Sequence, residues 1–304
     1  MSPSGDGAAG RKLYLKLENL QPIGAFKLRG AYNKVASLSS QERRRGVISY
    51  SSGNHGQGVA YAARALGARA MIVMPDNAPT NKIDATAALG AEIVFVGPGS
   101  EERRLRAEQL AAEHGYAIVP PYDDEKIIAG QGTVGLEILE DLPNVETVLV
   151  PVGGGGLISG VSAAIKLSNP KINVIGVEPE LASDAQASLR AGRIVTSPAE
   201  QVTLTMADGL RTQSIGAHNF EHIHAYVDDI VTVTEDEIRE AVRILSTNEK
   251  TRAEASGAVA PAAFLFHSEK LPITNLNVAV ISGGNIDPKL LQAIRSEAVI
   301  SIES

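Results

Sequence analysis

The chain has 304 residues, and its 28 basic and 35 acidic side chains give a formal net charge of −7. Such a length is enough for one large domain or two moderate ones. The acidic balance argues against nucleic-acid and anionic-membrane partners, and the lack of any cysteine in the sequence excludes disulfides, thiolate metal sites and thiol catalysis.

Residues 1–10 are polar, so we expect them to be flexible. They also lack the apolar core of a secretory signal. No apolar run in the sequence approaches the roughly 20 residues that span a bilayer. The sequence therefore predicts a cytoplasmic protein that acts on a small molecule, with no nucleic-acid partner and no membrane partner.

The first strand is predicted at 13–18, where leucines alternate with mostly polar residues. A helix is predicted from Leu28 to Ala36, directly after Lys27, and the polar stretch at 37–40 indicates a crossing between domains. Helical stretches then separate four short apolar runs, which are typical of buried strands. These strands are predicted at 47–50, 70–74, 92–96 and 116–119.

The alternation of strands and helices resumes after Pro121, and Thr234 with Glu237 predicts a capping box at the start of one helix. The strands are predicted at 147–150, 173–177, 230–233 and 278–281. Because parallel strands need helical crossovers, this order predicts an α/β fold with two parallel sheets covered by helices. We assign 40–122 to a small α/β domain, and 1–39 with 123–304 to a discontinuous large domain.

Four consecutive glycines lie between a predicted strand and a predicted helix, at Gly153, Gly154, Gly155 and Gly156. Their backbone can bend so that several N–H groups point into one concavity, and the following helix adds the positive end of its dipole. The pattern predicts a phosphate-binding loop, and the alternative is a flexible turn. It is neither a P-loop nor the spaced dinucleotide fingerprint.

The segment 51–55 also follows a predicted strand and precedes a predicted helix, where open α/β sheets usually bind ligands. Its hydroxyls and N–H groups could bind a carboxylate, and Asn54 could donate to a phenolic oxygen. The alternative is an ordinary helix N-cap. For the side chain of His55 we favour a structural role.

Three other positions have polar side chains that suit a ligand. Ser282 follows the last predicted strand, and its hydroxyl could bond a ring nitrogen, unless the segment is only a turn. The segment 178–184 offers carboxylates and carbonyls that suit Mg²⁺ or Ca²⁺, with solvated surface acids as the alternative. Lys27, which follows Phe26, would on its own be read as a solvated lysine.

Together, a lysine, a phosphate-binding loop, an asparagine loop and a terminal serine are the groups needed to hold pyridoxal phosphate. In the order and spacing of these motifs, at 26–31, 51–55, 153–156 and 282–285, the chain resembles the fold-type II pyridoxal-phosphate enzymes. It specifically resembles the serine/threonine dehydratase and serine racemase family, from about Leu13 to Asp287. The resemblance implies a tryptophan synthase beta-like architecture and a homodimer.

The resemblance also implies a role for each candidate residue. Lys27 forms the Schiff base with the cofactor, Phe26 packs against the ring and Asn54 contacts the ring hydroxyl. Ser282 contacts the pyridine nitrogen. The cofactor phosphate is bound by Gly153, Gly154, Gly155, Gly156 and Leu157. The substrate carboxylate is bound by Ser51, Ser52, Gly53, Asn54 and His55. A Mg²⁺ or Ca²⁺ ion is bound, as in racemase-like members, by Glu178, Ala182 and Asp184.

The implied function is that of a dehydratase, an ammonia-lyase that converts L-threonine, L-serine or a related β-hydroxy amino acid to a 2-oxo acid and ammonia. A serine racemase or a hydroxyaspartate dehydratase is the alternative, and a pyridoxal-phosphate-binding protein without turnover is the least favoured. Ser52 divides these functions, because a hydroxyl on the face opposite Lys27 can move a proton there. Many dedicated threonine dehydratases carry alanine at this position.

The two ends of the chain depart from the family pattern. The sequence begins closer to Lys27 than the family leads us to expect, so we expect altered N-terminal packing. It ends soon after Ser282, so we expect no regulatory domain and no feedback control by isoleucine.

Overall fold

The computed structural model of the chain describes residues 2–7, 10–51, 53–78, 80–97 and 99–297. These residues form ten strands and thirteen helices. The strands are β1 (Ser2–Gly7), β2 (Arg11–Leu17), β3 (Val47–Tyr50), β4 (Ala70–Pro75), β5 (Glu92–Val96), β6 (Ala117–Ile118), β7 (Thr147–Pro151), β8 (Asn173–Pro179), β9 (Asp229–Val233) and β10 (Leu276–Ile281). The helices are α1 (Lys27–Ser37), α2 (Ser40–Arg45), α3 (Asn54–Ala65), α4 (Thr80–Ala88), α5 (Ser100–His114), α6 (Glu125–Asp141), α7 (Gly156–Ser168), α8 (Asp184–Ala191), α9 (Ala199–Val202), α10 (Ala217–Tyr226), α11 (Glu235–Leu245), α12 (Ala255–Phe266) and α13 (Pro288–Ser296).

The chain divides into two compact units, which we call the small unit, Phe26–Gln131, and the large unit, formed by the segments on either side of it. This division differs from the predicted domains, because α1 belongs to the small unit and was assigned to the large domain. The reason is packing: α1 lies along α3. A Cβ atom at Gly58 of α3 would lie only 3.3 Å from the carbonyl carbon of Lys27, so glycine permits this close approach.

The small unit is built on a parallel sheet with the strand order β5, β4, β3, β6. Successive residues of its central strands enter opposite apolar clusters: Val47 and Ile72 pack with α1 and α3, whereas Ile48 and Val73 pack with α5. A strand that is buried on both faces needs an unbroken apolar run. This is why the pattern revealed these strands so clearly.

The large unit contains a six-stranded sheet with the order β1, β2, β10, β7, β8, β9, in which all pairs except β1 with β2 are parallel. The predicted capping box begins α11: the Thr234 N–H donates to the Glu237 carboxylate at 2.7 Å, and the Glu237 N–H donates to the Thr234 hydroxyl at 3.3 Å. The apolar helix α12 packs against β10, β7 and β8, and its buried residues form part of the core.

One expectation about the N-terminus is wrong. Residues 2–7 were expected to be flexible, but they form β1, which pairs antiparallel with β2. Their composition of serine, proline, glycine and aspartate has no apolar alternation, so the pairing comes from backbone groups at the sheet edge. Across the described ranges, none of the helices has the length and apolar character that crossing a bilayer requires.

Candidate active site

Lys27 is the first residue of α1, in the small unit. Its Nζ atom donates a hydrogen bond to the carbonyl oxygen of Pro121 at 2.7 Å and lies 5.2 Å from the centroid of the Phe26 ring. No carboxylate within the described part of the chain pairs with this amine. Burial lowers the pKa of Lys27 from 10.5 to about 8. A buried lysine of this kind can act as a nucleophile or a base near neutral pH.

The predicted carboxylate-binding loop leads into α3, which begins at Asn54. The Ser51 hydroxyl accepts the Gly53 N–H at 3.2 Å, so the loop turns back on itself. A Cβ atom at Gly56 would lie 2.7 Å from the Ser51 carbonyl oxygen, so the first turn of α3 packs tightly against the loop. Ser52 lies outside the described residues. The described residues on either side of it lie between the end of β3 and the start of α3.

The side chain of His55 is buried in the small unit, with 3% of its surface exposed. Its Nε2 atom lies 3.0 Å from the carbonyl oxygen of Val119. Burial, and next the charge of Lys27, lower the pKa of His55 to about 3, so the ring is neutral at ordinary pH. Because a carbonyl oxygen can only accept, the proton lies on Nε2. The neutral, buried ring agrees with a structural role.

The glycine loop connects β7 to α7 in the large unit. Gly155 has φ 96°, and a Cβ atom there would lie 2.8 Å from Asn219 Cβ, so a larger residue would be both strained and crowded. The first helical residues, Gly156 and Leu157, are buried. Since the first N–H groups of a helix have no acceptor within the helix, this end of α7 suits an anion.

Contacts within the large unit connect the glycine loop to Ser282. A Cβ atom at Gly153 would lie 3.4 Å from the carbonyl oxygen of Gly209. The Gly209 N–H donates to the Ser256 hydroxyl at 2.8 Å, and the Ser282 hydroxyl donates to the Ser256 carbonyl in a long hydrogen bond of 3.4 Å. The two predicted cofactor contacts of this unit are therefore joined by Gly209 and Ser256.

The three predicted metal-binding residues lie at the end of β8 and the start of α8, where all of them are buried. Each Glu178 carboxylate oxygen accepts one N–H group, from Ala185 at 3.0 Å and from Gln186 at 2.8 Å. Both carboxylate oxygens of Asp184 are buried, and among the residues that the structure describes they accept no hydrogen bond of ordinary geometry. The backbone N–H groups of Asp184 and Ile215 are nevertheless close enough to oppose the rise of its pKa. Burial raises the pKa of Asp184 to about 7, and burial together with the Asp184 charge raises the pKa of Glu178.

These two acids are not the solvated surface acids of the alternative interpretation. Two buried carboxyl groups beside each other are unfavourable unless something compensates their charge. A divalent cation with oxygen ligands would do so, and the Ala182 carbonyl is an oxygen of the right kind. The oxygen atoms of these three residues are therefore of the kind that the predicted cation binds, although the backbone N–H groups of Asp184 and Ile215 also act on the Asp184 carboxyl group.

Among the participants in these contacts, Pro121, Gly209 and Ser256 were not candidates from the sequence. Two of them act through backbone groups, which every residue carries and no sequence pattern marks. Ser256 has the one polar side chain in α12, which is otherwise formed by apolar residues and glycine. Its hydroxyl was therefore the feature from which a polar contact could have been predicted.

Comparisons with known proteins bear on the family. The family described as "Pyridoxal-phosphate dependent enzyme" matches residues 2–283. The L-threonine ammonia-lyase of Thermotoga maritima is 49% identical over 294 residues, which cover 96% of this chain and 71% of that protein. The L-threo-3-hydroxyaspartate ammonia-lyase of Saccharomyces cerevisiae is 42% identical over 280 residues, which cover 92% of this chain and 85% of that protein.

The fold has close counterparts among solved structures. The structure of maize serine racemase superposes with a TM-score of 0.88 at 38% sequence identity, covering 93% of this chain and 86% of that one. This likeness and the two parallel-type sheets agree with the fold expected from the sequence.

Proposed function

Because this chain belongs to the family of pyridoxal-phosphate dependent enzymes, we propose that it is an ammonia-lyase that converts L-threonine, L-serine or a related β-hydroxy amino acid to a 2-oxo acid and ammonia. The observation that carries the proposal is Lys27, a buried amine beside an aromatic ring. The similarity to the L-threonine ammonia-lyase of Thermotoga maritima supports L-threonine as the first substrate to test.

Lys27 is assigned to two tasks, the covalent attachment of the cofactor and the removal of the α-proton. Pyridoxal phosphate, when bound, draws electron density from the α-carbon of an amino acid, so that the α-proton and the β-hydroxyl can leave. Both tasks of Lys27 require an uncharged amine. Burial supports this, because it brings the pKa of Lys27 down to about 8. The Pro121 carbonyl accepts an N–H without adding the negative charge that would raise this pKa again.

Each remaining cofactor contact is assigned to a residue that the family resemblance indicates. The cofactor phosphate is assigned to the N–H groups of residues 153–157, a choice supported by the glycine backbone and the start of α7. The ring nitrogen is assigned to the Ser282 hydroxyl, whose neutral oxygen would leave that nitrogen largely unprotonated. Phe26 is assigned to the ring face, and Asn54 to the ring hydroxyl.

The substrate carboxylate is assigned to the loop from Ser51 to His55, where a turn precedes the N-terminus of α3. Among these residues, Ser52 decides between two related functions. A hydroxyl on the face opposite Lys27 would permit racemisation, and the likeness to maize serine racemase supports keeping this second candidate.

Incubation with L-threonine and L-serine tests the function directly. We expect 2-oxo acid and ammonia in equal amounts, together with a visible absorbance of the lysine-bound cofactor that is absent in Lys27→Ala. Chiral analysis of the L-serine reaction separates the two candidate functions. If D-serine exceeds 2-oxo acid, the protein is a racemase and the ammonia-lyase proposal is wrong. If Ser52 moves the second proton, Ser52→Ala loses D-serine formation and keeps 2-oxo acid formation.

A Mg²⁺ or Ca²⁺ ion is part of the proposal, with Glu178, the Ala182 carbonyl and Asp184 as ligands. The support is the pair of buried carboxyl groups, Glu178 and Asp184, which lie close enough for the charge of one to raise the pKa of the other. The ion would lie in the large unit, apart from Lys27 in sequence, and its assigned task is to stabilise the end of β8 and the start of α8.

The homodimer and the cytoplasmic location remain predictions from the sequence and its family resemblance. Light scattering of the purified protein checks the first, with a mass close to twice that of the 31.9 kDa chain as the expected result. Cell fractionation checks the second.

A further inference from the structure

The Pro121 carbonyl that accepts the Lys27 amine belongs to a segment with little backbone support of its own. Strand β6 has two residues, and the ladder ends one residue later, where the Val119 N–H donates to the Ile48 carbonyl at 2.9 Å. Pro120 and Pro121 have no N–H group, so they cannot extend the pairing. The segment is therefore held through its carbonyl oxygens.

Two side chains of the small unit bind the carbonyl oxygen at the start of this segment. The Ser49 hydroxyl donates to the Val119 oxygen at 2.7 Å, and His55 Nε2 lies 3.0 Å from the same atom. Both side chains are buried, with 0% and 3% of their surfaces exposed. The two donors use both lone pairs of the buried Val119 oxygen. The oxygen cannot move without losing one of these hydrogen bonds.

Pro120 and Pro121, which follow Val119, limit the conformations of the backbone that leads to the Pro121 carbonyl. The ring of a proline restricts its φ angle, so the dipeptide from Pro120 to Pro121 has few conformations once Val119 is held. The contacts on Val119 therefore restrict the positions that the Pro121 carbonyl can take. Its own partner is the Lys27 Nζ atom at 2.7 Å.

We propose that His55 and Ser49 are positioning residues: by holding the Val119 carbonyl, they fix the Pro121 carbonyl as the acceptor that aligns the free amine of Lys27. The inference rests on the proposed role of Lys27 and adds how that amine is oriented when it is not bonded to the cofactor. An amine that donates one N–H to a fixed carbonyl keeps its lone pair in a defined direction, as a base needs.

The neutral state of the His55 ring is part of this arrangement. A protonated imidazole would donate equally well to Val119, but its charge would oppose the ammonium form of Lys27. With Nε2 protonated, Nδ1 carries a lone pair, and this atom is buried without a partner among the residues that the structure describes. Burying Nδ1 without a partner costs free energy. We expect the ring to be kept in spite of this cost because its other nitrogen, Nε2, holds the Val119 carbonyl.

Competitive acylation of Lys27 in the full-length, cofactor-free chain tests the inference. Labelling with acetic anhydride across the range from about pH 6 to about pH 11, quantified by mass spectrometry, gives the titration midpoint of the amine. The wild type should show a midpoint near 8. Loss of the carbonyl acceptor disfavours the ammonium form, so His55→Phe and Ser49→Ala should each lower the midpoint by about one pH unit.

Two further variants separate positioning from general damage to the fold. His55→Gln can still donate to Val119 and should restore the wild-type midpoint. Thr86→Val removes another buried hydroxyl of the small unit, which bonds the Lys82 carbonyl at 2.9 Å, and should leave the midpoint unchanged. A midpoint that stays near 8 in His55→Phe and Ser49→Ala, or rises towards that of an ordinary lysine, overturns the inference.

Turnover and cofactor attachment are measured in parallel on the same proteins. His55→Phe and Ser49→Ala should each lower kcat with L-threonine by roughly 10-fold to 100-fold. In Ser49→Ala, which lies outside the loop assigned to the substrate carboxylate, KM should stay near the wild-type value. If the wild-type chain develops no visible absorbance with pyridoxal phosphate, the proposed function fails, whatever the acylation shows. If that absorbance forms and the acylation midpoints do not move, only the positioning role fails.

Discussion

Gly155 lies so close to Asn219 that a Cβ atom at position 155 would be 2.8 Å from the Asn219 Cβ atom. The backbone of Gly155 is also left-handed, with φ 96°. Both features belong to the residue that precedes α7. The loop that we assign to the phosphate is therefore held in a form that glycine alone adopts without cost.

Gly155→Ala should weaken pyridoxal phosphate binding by at least about tenfold, because the loop must move to relieve the contact with Asn219. Titration of the cofactor-free protein, followed by visible absorbance, measures this change. Gly192→Ala is the matched control, since Gly192 has φ 63° and no atom within 4 Å of the added Cβ. It should cost about 1–2 kcal/mol of folding free energy and leave the affinity unchanged. Equal affinities in the two variants would refute the assignment of this loop.

The stability of the cofactor-free protein should depend on the ionisation of Lys27. The folded pKa is lowered from 10.5 to about 8, so between these pH values the unfolded chain binds more protons than the folded one. The penalty for burying the ammonium is complete below about pH 8 and disappears as the pH rises. The Lys27 contribution to the free energy of unfolding should thus increase by up to about 3 kcal/mol across this window.

Urea unfolding at several pH values, compared between the wild type and Lys27→Met, isolates this contribution. Methionine keeps the apolar stem and removes the amine, so the difference between the two proteins should shrink as the pH rises. Lys171→Met, at an exposed position, serves as the control and should give a constant difference. A Lys27→Met difference that does not change with pH would show that the amine is not desolvated.

Asp184→Asn should abolish the increase in Tm that Mg²⁺ or Ca²⁺ produces, because it replaces one of the two buried carboxylates assigned to the ion by a neutral amide. Without the cation, the variant should be as stable as the wild type or more stable, since it relieves the repulsion between two buried acids. The exposed Glu180 provides the control Glu180→Gln, which should keep the full response. Differential scanning calorimetry with and without the ion decides between these outcomes.

Ser256→Ala should lower the affinity for pyridoxal phosphate about fivefold to tenfold, a change of about 1 kcal/mol. The variant removes the acceptor of the Gly209 N–H, and Gly209 lies against Gly153. Ser162→Ala deletes another buried serine hydroxyl of the large unit, bonded to the Ser159 carbonyl at 3.3 Å, and should cost similar stability with no loss of affinity. If both variants lose affinity alike, Ser256 contributes only to folding.

Much of the fold followed from pattern alone. The strands predicted at 47–50 and 92–96 have these same limits in the structure, and the other predicted strands differ by a few residues at most. For the central strand at 47–50, burial on both faces explains this success, since it requires an unbroken apolar run. The strand at 92–96 lies at the sheet edge and is only partly buried, but it also has a run of four apolar residues. The prediction of a pyridoxal-phosphate-dependent lyase is confirmed by the family and by the relatives, which are ammonia-lyases.

The pattern failed where backbone groups decide the outcome. It missed β1, whose pairing with β2 depends on N–H and C=O groups. It also placed α1 in the large domain, whereas α1 contacts α3 of the small unit, and such packing leaves no periodic signature. The glycine motif predicted a bent loop, and the structure has one. The contact that leaves no room for a side chain at Gly155 comes from Asn219, more than sixty residues along the chain.

The sequence by itself determined the elements, the parallel sheets and the kind of cofactor, because these depend on local periodicity and on the order of short motifs. The tertiary structure alone decided the surroundings of the reactive groups. The Lys27 amine donates to the Pro121 carbonyl and has a pKa lowered to about 8, and Asp184 is buried beside Glu178. Burial and hydrogen bonding set the charge of such groups, and both depend on residues that are distant in sequence.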